Sequence, residues 1–391
     1  MHYSSSIESE FAIVGGGVAG LAMAIGLQNI GRDFVLFEQA TELKGIGAGF
    51  GLAANAMRAL ELLGLKDDIE KIGHHLDNYN ILDQQGRVLV SPNTGAISDR
   101  YRHSNFAVHR ADLHLYLLSK VDAKRVHLGK KATKLQQNQD NVTIHFDDGT
   151  QHTTKNLIIA DGVKSPLRQQ LIPNSAPRYS GYTCWRATID NSTIQLDKGF
   201  EIWGKAGRFG MTPLVNNRIY WYACINANAN DSRYQAYTTE DLSRHFARYH
   251  DPVPQVLTQT NNANLIWNDI IDIKPLSHLA YHNILLIGDA GHATTPNMGQ
   301  GACQALEDVA VLLDELKQPK STQAAFMSFE KRRLGRTKYI TKTSRLIGKV
   351  AQWDNKWMIA IRNTLMVHLP SKWSQKSLDK LLSVDFMEIG K

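Results

Sequence analysis

A short apolar run, Phe11 to Val14, leads into Gly15-Gly16-Gly17-Val18-Ala19-Gly20, and Leu21 to about Gly31 reads as a helix. Phe34 to Phe37 is a second apolar strand, ending at Glu38. Strand, G-x-G-x-x-G, helix, strand and acidic residue form the context in which a dinucleotide is held. Gly15 permits the tight turn, Gly17 lets the backbone approach a pyrophosphate, and Gly20 lets the helix close on the strand. Glu38 is placed to accept hydrogen bonds from the two hydroxyls of an adenosine ribose.

A second stretch far downstream has related chemistry. Ile284 to Ile287 reads as a buried strand, Gly288 and Asp289 end it, and a Gly-, Thr- and Pro-rich loop leads to a helix from Gly301 to Leu313. Backbone N–H groups of residues 299 to 302 then lie at a helix N-terminus, where an anionic group is stabilised. Asp289 suits a polyol hydroxyl better than a phosphate. His292, in the same loop, reads as structural more readily than as a general base. Between the two motifs stands a second glycine-rich stretch, Gly45 to Gly51. It reads either as backbone running close to a flat ligand or as a flexible loop. Arg110, at a strand–helix junction, could bind an anion or a ligand carbonyl, or be a surface arginine. Asp161-Gly162 ends a strand from Leu157, with Arg168 soon after.

These motifs need a scaffold, and the totals permit one. The chain has 391 residues, 43% hydrophobic and 21% charged, enough for two domains or one large one with an inserted sheet. The formal net charge of +7 favours anionic partners, but no nucleic-acid module accompanies it. Cys184, Cys224 and Cys303 are far apart in sequence and odd in number. They give neither metal spacing nor a disulfide framework, which fits a reducing cytoplasm. No apolar run reaches membrane-spanning length.

Residues 179–275 differ from their surroundings. Strand-like runs dominate, with Trp185, Trp203, Phe209, Tyr220, Trp221 and Tyr222 among them. An antiparallel sheet inserted into the nucleotide domain, one face covering a ligand, is the expectation. His75 to Val90 reads as a hairpin turning at Gln85-Gly86, and residues 91–105 as a polar loop. Helical signals prevail from Thr322 onward. Lys331 to Lys349 holds many basic residues and no acidic one, read as a solvated face or, less plainly, as attraction to anionic lipid.

The three motifs in this order resemble the single-component, class A FAD-dependent monooxygenases, which include salicylate and urate hydroxylases, zeaxanthin epoxidase and the tetracycline-inactivating enzymes. The resemblance covers nearly the whole chain. It implies an α/β fold: a Rossmann-like FAD-binding domain, an inserted antiparallel β-sheet substrate domain, and C-terminal helices. The FAD-binding domain would comprise residues 1–75, 103–178 and 276–320. The 76–102 hairpin would join the 179–275 substrate domain, and 321–391 would be the C-terminal helices.

It also implies roles. Gly15, Gly17 and Gly20 would approach the FAD pyrophosphate, and Glu38 the ribose, with Gln39 beside it. Gly51 and Arg110 would lie along the flavin, Arg110 near its ribityl chain. Ala132 would border adenine, and Asp161 matches a motif linked to FAD and NAD(P)H handling. Asp289 would hold a ribityl hydroxyl. Gly299, Gln300, Gly301, Ala302 and Cys303 would lie against the pyrimidine edge of the isoalloxazine. Arg208, Tyr220 and Asn297 would act on the substrate, with Met211, Pro213 and Pro296 lining its pocket. The urate subgroup carries an aspartate where this chain has Asn297, and asparagine cannot supply the charge that sets the arginine's orientation. The implied chemistry is reduction of FAD by NADPH or NADH, reaction with O₂ to a C4a-hydroperoxide, and oxygen transfer to an aromatic small molecule. No metal, nucleic acid or transmembrane segment is expected, and the protein would be a monomer or homodimer.

Overall fold

The structure is a computed structural model describing residues 7–43, 48–92, 94–368 and 379–388. The first sheet runs Ala280–Tyr281, Ile284–Leu286, Gln151–Ile159, Ser9–Val14, Phe34–Phe37, Val126–His127, parallel through its centre. Val142–Phe146 and Ala132–Gln137 extend it as an antiparallel flap on Gln151–Ile159. The central strands are buried on both faces, which is why Phe11, Ala12 and Ile13 are apolar without alternation. One face is covered by the helix Val18–Asn29, whose residues Ala19 to Leu27 are all buried. It packs closely on the helix Gly301–Leu316: a Cβ at Gly26 would lie 2.4 Å from Leu313 Cδ1.

The second sheet has seven strands in the order Ile266–Asp272, Arg178–Asp190, Arg218–Asn226, Gly207–Leu214, Gly199–Gly204, Tyr79–Asp83, Val88–Val90. The long strands are antiparallel, and Gly199–Gly204 pairs in parallel with Tyr79–Asp83. Its two faces differ because side chains alternate along each strand. Ile219, Trp221, Ala223 and Ile225 join Phe209 and Met211 in a core with Leu242, Phe246, Val253 and Val256 of two short helices. The opposite set, Tyr220, Tyr222 and Cys224, faces the first domain. A small third sheet, Gly49–Leu52, Phe106–His109 and Gly73–His75, bridges the two. The fold is thus a Rossmann-like α/β domain with an added antiparallel sheet and C-terminal helices. Residues 94–101, expected within a polar loop, form a helix.

The helix Thr322–Ala351 divides the basic stretch in two: its lysines form the solvated face expected, and its arginines do not. Its arginines point inward and its lysines outward. Arg333 is buried and pairs with Glu307, and with Asp308 at 2.7 Å, both on the helix Gly301–Leu316. Arg336 joins Glu307 at 2.6 Å, Arg332 joins Asp314 and Glu315 at 2.6 Å, and Arg345 reaches Asp272 at 2.8 Å. Lys331, Lys338, Lys342 and Lys349 are exposed. The planar, weakly hydrated guanidinium tolerates burial with two carboxylates; an ammonium does so less readily. The acidic partners lie on another helix or, for Asp272, on a strand of the second sheet, so the local charge run looked unpaired.

Glu307 and Asp308 are fully buried, and their carboxyls are held below the ordinary range. Burial alone would raise both; the arginines outweigh it at Glu307, and at Asp308 His292 and Arg333 do so. Removing one member of such a network leaves an uncompensated buried charge. Arg333→Met should therefore lower the unfolding free energy by about 3–5 kcal/mol. Urea denaturation followed by far-UV circular dichroism would read this as a clear fall in midpoint. An unchanged midpoint would mean the network is not stabilising.

Candidate active site

The glycines of the first motif have separate physical reasons. Gly15 has φ +110°, and a Cβ there would lie 2.3 Å from the Ala160 carbonyl oxygen. A Cβ on Gly20 would lie 1.8 Å from the Gly15 carbonyl oxygen, so this glycine permits helix and strand to touch. Gly17 has an ordinary φ of −75°, and its Cβ would meet nothing within 4 Å. Nothing among the described residues requires glycine at position 17. The open space lies at the N-terminus of the helix Val18–Asn29, which has no side-chain cap, so its first N–H groups are free for an anion. That is the room a pyrophosphate needs.

Glu38 lies at the end of its strand with both oxygens positioned. Oε2 accepts the Gly16 N–H at 2.6 Å and Oε1 the Ala40 N–H at 2.8 Å. An ionised carboxylate has further lone pairs, which a ribose can use. Gln39 beside it is exposed. His114 was not singled out from the sequence, yet its Nε2 hydrogen-bonds the Gly16 carbonyl at 2.5 Å and steadies the loop. Ala132 is buried at an irregularity in the antiparallel flap, opposite Phe146. Gly45 to Gly47 lie outside the described residues. Gly49 and Gly51 belong to the strand Gly49–Leu52.

The second motif is held from behind. Gly288 has φ +56°, and its N–H donates to Asp308 Oδ2 at 2.8 Å. His292 Nε2 lies 2.5 Å from the same oxygen. His292 therefore belongs to the buried network and turns away from the cleft. Asp289 is exposed, and a Cβ on Gly301 would lie 4.0 Å from its Oδ1. Desolvation by the surrounding protein pushes its carboxyl up, opposed by His292, Arg110 and Arg168. Arg110 starts the helix Arg110–Ser119, its own N–H bonded to the Ala48 carbonyl at 2.7 Å, with the residue exposed. Asp289, Arg110 and the Gly301 helix start thus gather at one place.

Gln300 is buried and its Oε1 accepts from Asn55 and Gln304, each at 2.9 Å. Gly299, at φ +61°, turns the chain into the helix. Ala302 is partly exposed and Pro296 exposed. Cys303 faces the protein. Its thiol contacts the Gly51 and Gly299 carbonyls at 3.6 Å, and burial pushes it up to about 12. It ties the helix start to the Gly49–Leu52 strand.

Asp161 and Asp289 are joined by a residue that contacts neither carboxylate. Arg168 is fully buried and donates to the carbonyls of Val163 at 2.7 Å, Ser175 at 3.2 Å and Ala290 at 3.2 Å. Both Asp161 oxygens are buried without a hydrogen-bond partner, and burial pushes the carboxyl up to about 6.

On the second sheet, Tyr220 meets the first domain: a Cβ on Gly49 would lie 2.7 Å from its Cγ. Tyr222 covers Gly210, and its hydroxyl is 3.1 Å from that of Tyr79. Arg208 is buried, paired with Glu201 at 3.2 Å, donating to Gln352 at 2.9 Å, and stacked over Tyr182 at 5.1 Å. Its Nη2 has no partner among the described residues. Burial pushes Tyr79, Tyr220 and Tyr222 up, so all three are neutral hydrogen-bonding phenols near pH 7.

Two expectations need correction. Met211 and Pro213 do not share this face. Met211 is in the core behind the sheet, and Pro213 pairs in register with Ile219, which is in that core too. Arg208, Gly210 and Thr212 are the residues of that strand turned to the first domain. Asn297 is consumed by the protein: Oδ1 accepts from Tyr182 at 3.0 Å, and Nδ2 donates to Thr295 Oγ1 and the Ser344 carbonyl at 2.8 Å. It joins the loop to both the sheet and the long helix. A third point adds to the reading without overturning it: Cys184 and Cys224, distant in sequence, are register partners on adjacent strands, and both are free thiols.

Two outcomes follow. Gly17→Leu should leave the flavin-free protein within about 1 kcal/mol of wild type, because the position is open and only a weak helix cap is altered. It should nevertheless lose bound dinucleotide on desalting. Chemical denaturation and absorbance spectra read both, and a variant that retains cofactor would remove the pyrophosphate assignment. For Asp161, the folded carboxyl is raised above its unfolded value, so ionising it costs stability as pH rises from about 4 to about 6. Asp161→Asn should melt higher than wild type above pH 6 in the flavin-free state, and the difference should close near pH 4. A pH-independent difference would show that Asp161 titrates normally.

Residues 8–342 match the family described as FAD binding domain. The chain is 33% identical over 355 residues to aurachin C monooxygenase/isomerase of Stigmatella aurantiaca, spanning 90% of this chain and 92% of that one. It is 31% identical over 363 residues to 2-heptyl-3-hydroxy-4(1H)-quinolone synthase of Pseudomonas aeruginosa, spanning 92% and 94%. The crystal structure of Klebsiella pneumoniae HpxO complexed with FAD and uric acid superposes with a TM-score of 0.87 at 27% identity, covering 96% of this chain and 97% of that one. With the open Gly17 cradle, the positioned Glu38 carboxylate and the Asp289 corner, these likenesses lead to one conclusion: the chain belongs to the FAD-binding-domain family and is a class A FAD-dependent monooxygenase.

Proposed function

We propose that this enzyme is cytoplasmic and uses NADPH or NADH and O₂ to hydroxylate a keto- or hydroxy-substituted aromatic ring of the quinolone type. The observation that carries the reading is Arg208. It is a buried guanidinium already neutralised by Glu201, with one nitrogen, Nη2, lacking a partner among neutral tyrosines. A buried donor of this kind favours a keto or enolate oxygen of a ligand. The quinolone named in the Pseudomonas aeruginosa relative supports that choice.

In this reading Gly15, Gly17 and Gly20 shape the pyrophosphate cradle, and Glu38 with Gln39 holds the adenosine ribose. Asp289 and Arg110 take the ribityl chain, Ala132 borders adenine, and Gly51 and residues 299–302 approach the isoalloxazine. Bound FAD would supply the two-electron relay from nicotinamide to O₂, so that one oxygen atom of O₂ reaches the ring and the other leaves as water. The helix start at Gly301 stabilises negative charge beside it. Tyr220, sealed against Gly49, and the aromatic face keep water out of the junction between the sheets. Arg208 and Tyr220 orient the substrate; Pro296 lines the loop edge of the pocket, and Asn297 positions that loop.

The test is NADPH and NADH oxidation by the flavin-loaded protein, with H₂O₂ quantified, across quinolones, phenols, purines and tetracyclines. A quinolone should accelerate oxidation while the H₂O₂ yield falls. Arg208→Gln should raise KM for that compound about tenfold or more, the loss of a charge-assisted hydrogen bond. Coupled turnover with a purine alone, or a variant with unchanged KM, would contradict the reading.

A further inference from the structure

The helix Lys356–Val367 has an inner side and an outer side. Arg362 is buried and fastens the inner side, donating to the carbonyls of Ala351 at 3.0 Å and Trp203 at 3.1 Å. The outer side is apolar and open. Trp357 is 69% exposed, Ile361 58% and Leu365 64%, at a spacing of four residues that places them in one row. Met358 and Val367 flank the row and are also exposed. Single exposed apolar residues need no explanation, but a contiguous row on one helix does.

Within this helix and along the adjoining lysine face of the long helix, the charges are of one sign. From Asn355 to His368 there is no acidic residue, and Lys356 at the head of the row is exposed. The nearest acid before it, Asp354, is engaged by Asn226 at 3.2 Å. The lysines of the preceding helix, Lys338, Lys342 and Lys349, share one exposed face with Leu346, itself 62% exposed. That face ends where Arg362 docks the apolar helix onto Ala351. A second copy laid on this surface would bring lysines against lysines in a chain of net charge +7. An anionic bilayer surface complements both the lysines and the apolar row.

We propose that Lys356–Val367 is an interfacial helix that lies in the headgroup region of an anionic phospholipid membrane and holds the enzyme at its surface. The helix spans about 18 Å, too short to cross a bilayer. Trp357 and Lys356 at one end supply the aromatic and basic groups such helices use. The arginines of the long helix take no part, since they are spent inside. The proposal does not depend on which ring is hydroxylated.

The test is flotation of the full-length, FAD-loaded protein with phosphatidylglycerol–phosphatidylcholine vesicles and with phosphatidylcholine vesicles alone, at low and raised salt. Sedimentation velocity of the same samples without lipid accompanies it. The expected result is binding to the anionic vesicles, weakened by salt. Ile361→Glu/Leu365→Glu should weaken it by roughly tenfold or more, because each change removes an apolar side chain from the bilayer. The variant should keep its flavin spectrum and its rate of NAD(P)H oxidation. Flotation unchanged in the variant would mean adsorption through net charge elsewhere and would overturn the proposal. So would no flotation at all, or a lipid-independent dimer that the same substitutions dissociate, which would assign the row to a second copy.

Discussion

Behind the loop from Gly288 to Gly301, two adjacent carboxylates, Glu307 and Asp308, are buried among Arg333, Arg336 and His292. The rest of the site depends on that network. Asp308 accepts the Gly288 N–H and so fixes the turn from which Asp289 projects. Glu307 accepts from Asn55 and Gln304, which share the Gln300 side chain just before the helix start at Gly301. Arg333 and Arg336 bring in the long helix, and Ser344 of that helix holds Asn297. A single ionic cluster therefore sets the loop, the helix N-terminus and the helix that backs them. Hydrophobic packing alone would allow these elements to slide; a buried network with few unsatisfied atoms admits one arrangement.

The second constraint is the division of labour across the added sheet. Strand alternation sends Trp221, Phe209 and Met211 into a core with short helices, and leaves tyrosines and arginines for the junction with the nucleotide domain. Glycines at 49 and 210 make room for Tyr220 and Tyr222. Gly49 makes that room across the junction, and Gly210 makes it within the sheet, where it is the register partner of Tyr222.

What the sequence disclosed follows from range. The first motif was legible because its glycines, strand and acid act within a few residues of one another, and local spacing states their geometry. Gly288-Asp289 and the Gly301 helix start were legible for the same reason. Met211 and Pro213 were misplaced because the aromatic strand was read without its phase: a shift of one residue exchanges the faces. The basic stretch 331–349 was legible in its lysines, which are exposed, and not in its arginines, whose counter-charges lie on another helix and, for Arg345, on a strand of the second sheet. Cys184 and Cys224 meet only through strand register. Asn297 had the right loop, but its partners, Tyr182 and Ser344, lie 115 and 47 residues away.

The account stands most directly on whether a residue that is buried behind the loop governs the flavin. Asp308 is fully buried and hydrogen-bonds only protein groups. The decisive measurement is the FAD dissociation constant of Asp308→Asn, compared with its unfolding free energy in the flavin-free state. If the network sets the site, FAD affinity falls by about tenfold or more even at denaturant-free conditions where the variant is fully folded. If affinity is unchanged while stability alone declines, the cluster only supports the fold, and the positioning of Gly288-Asp289 must come from elsewhere.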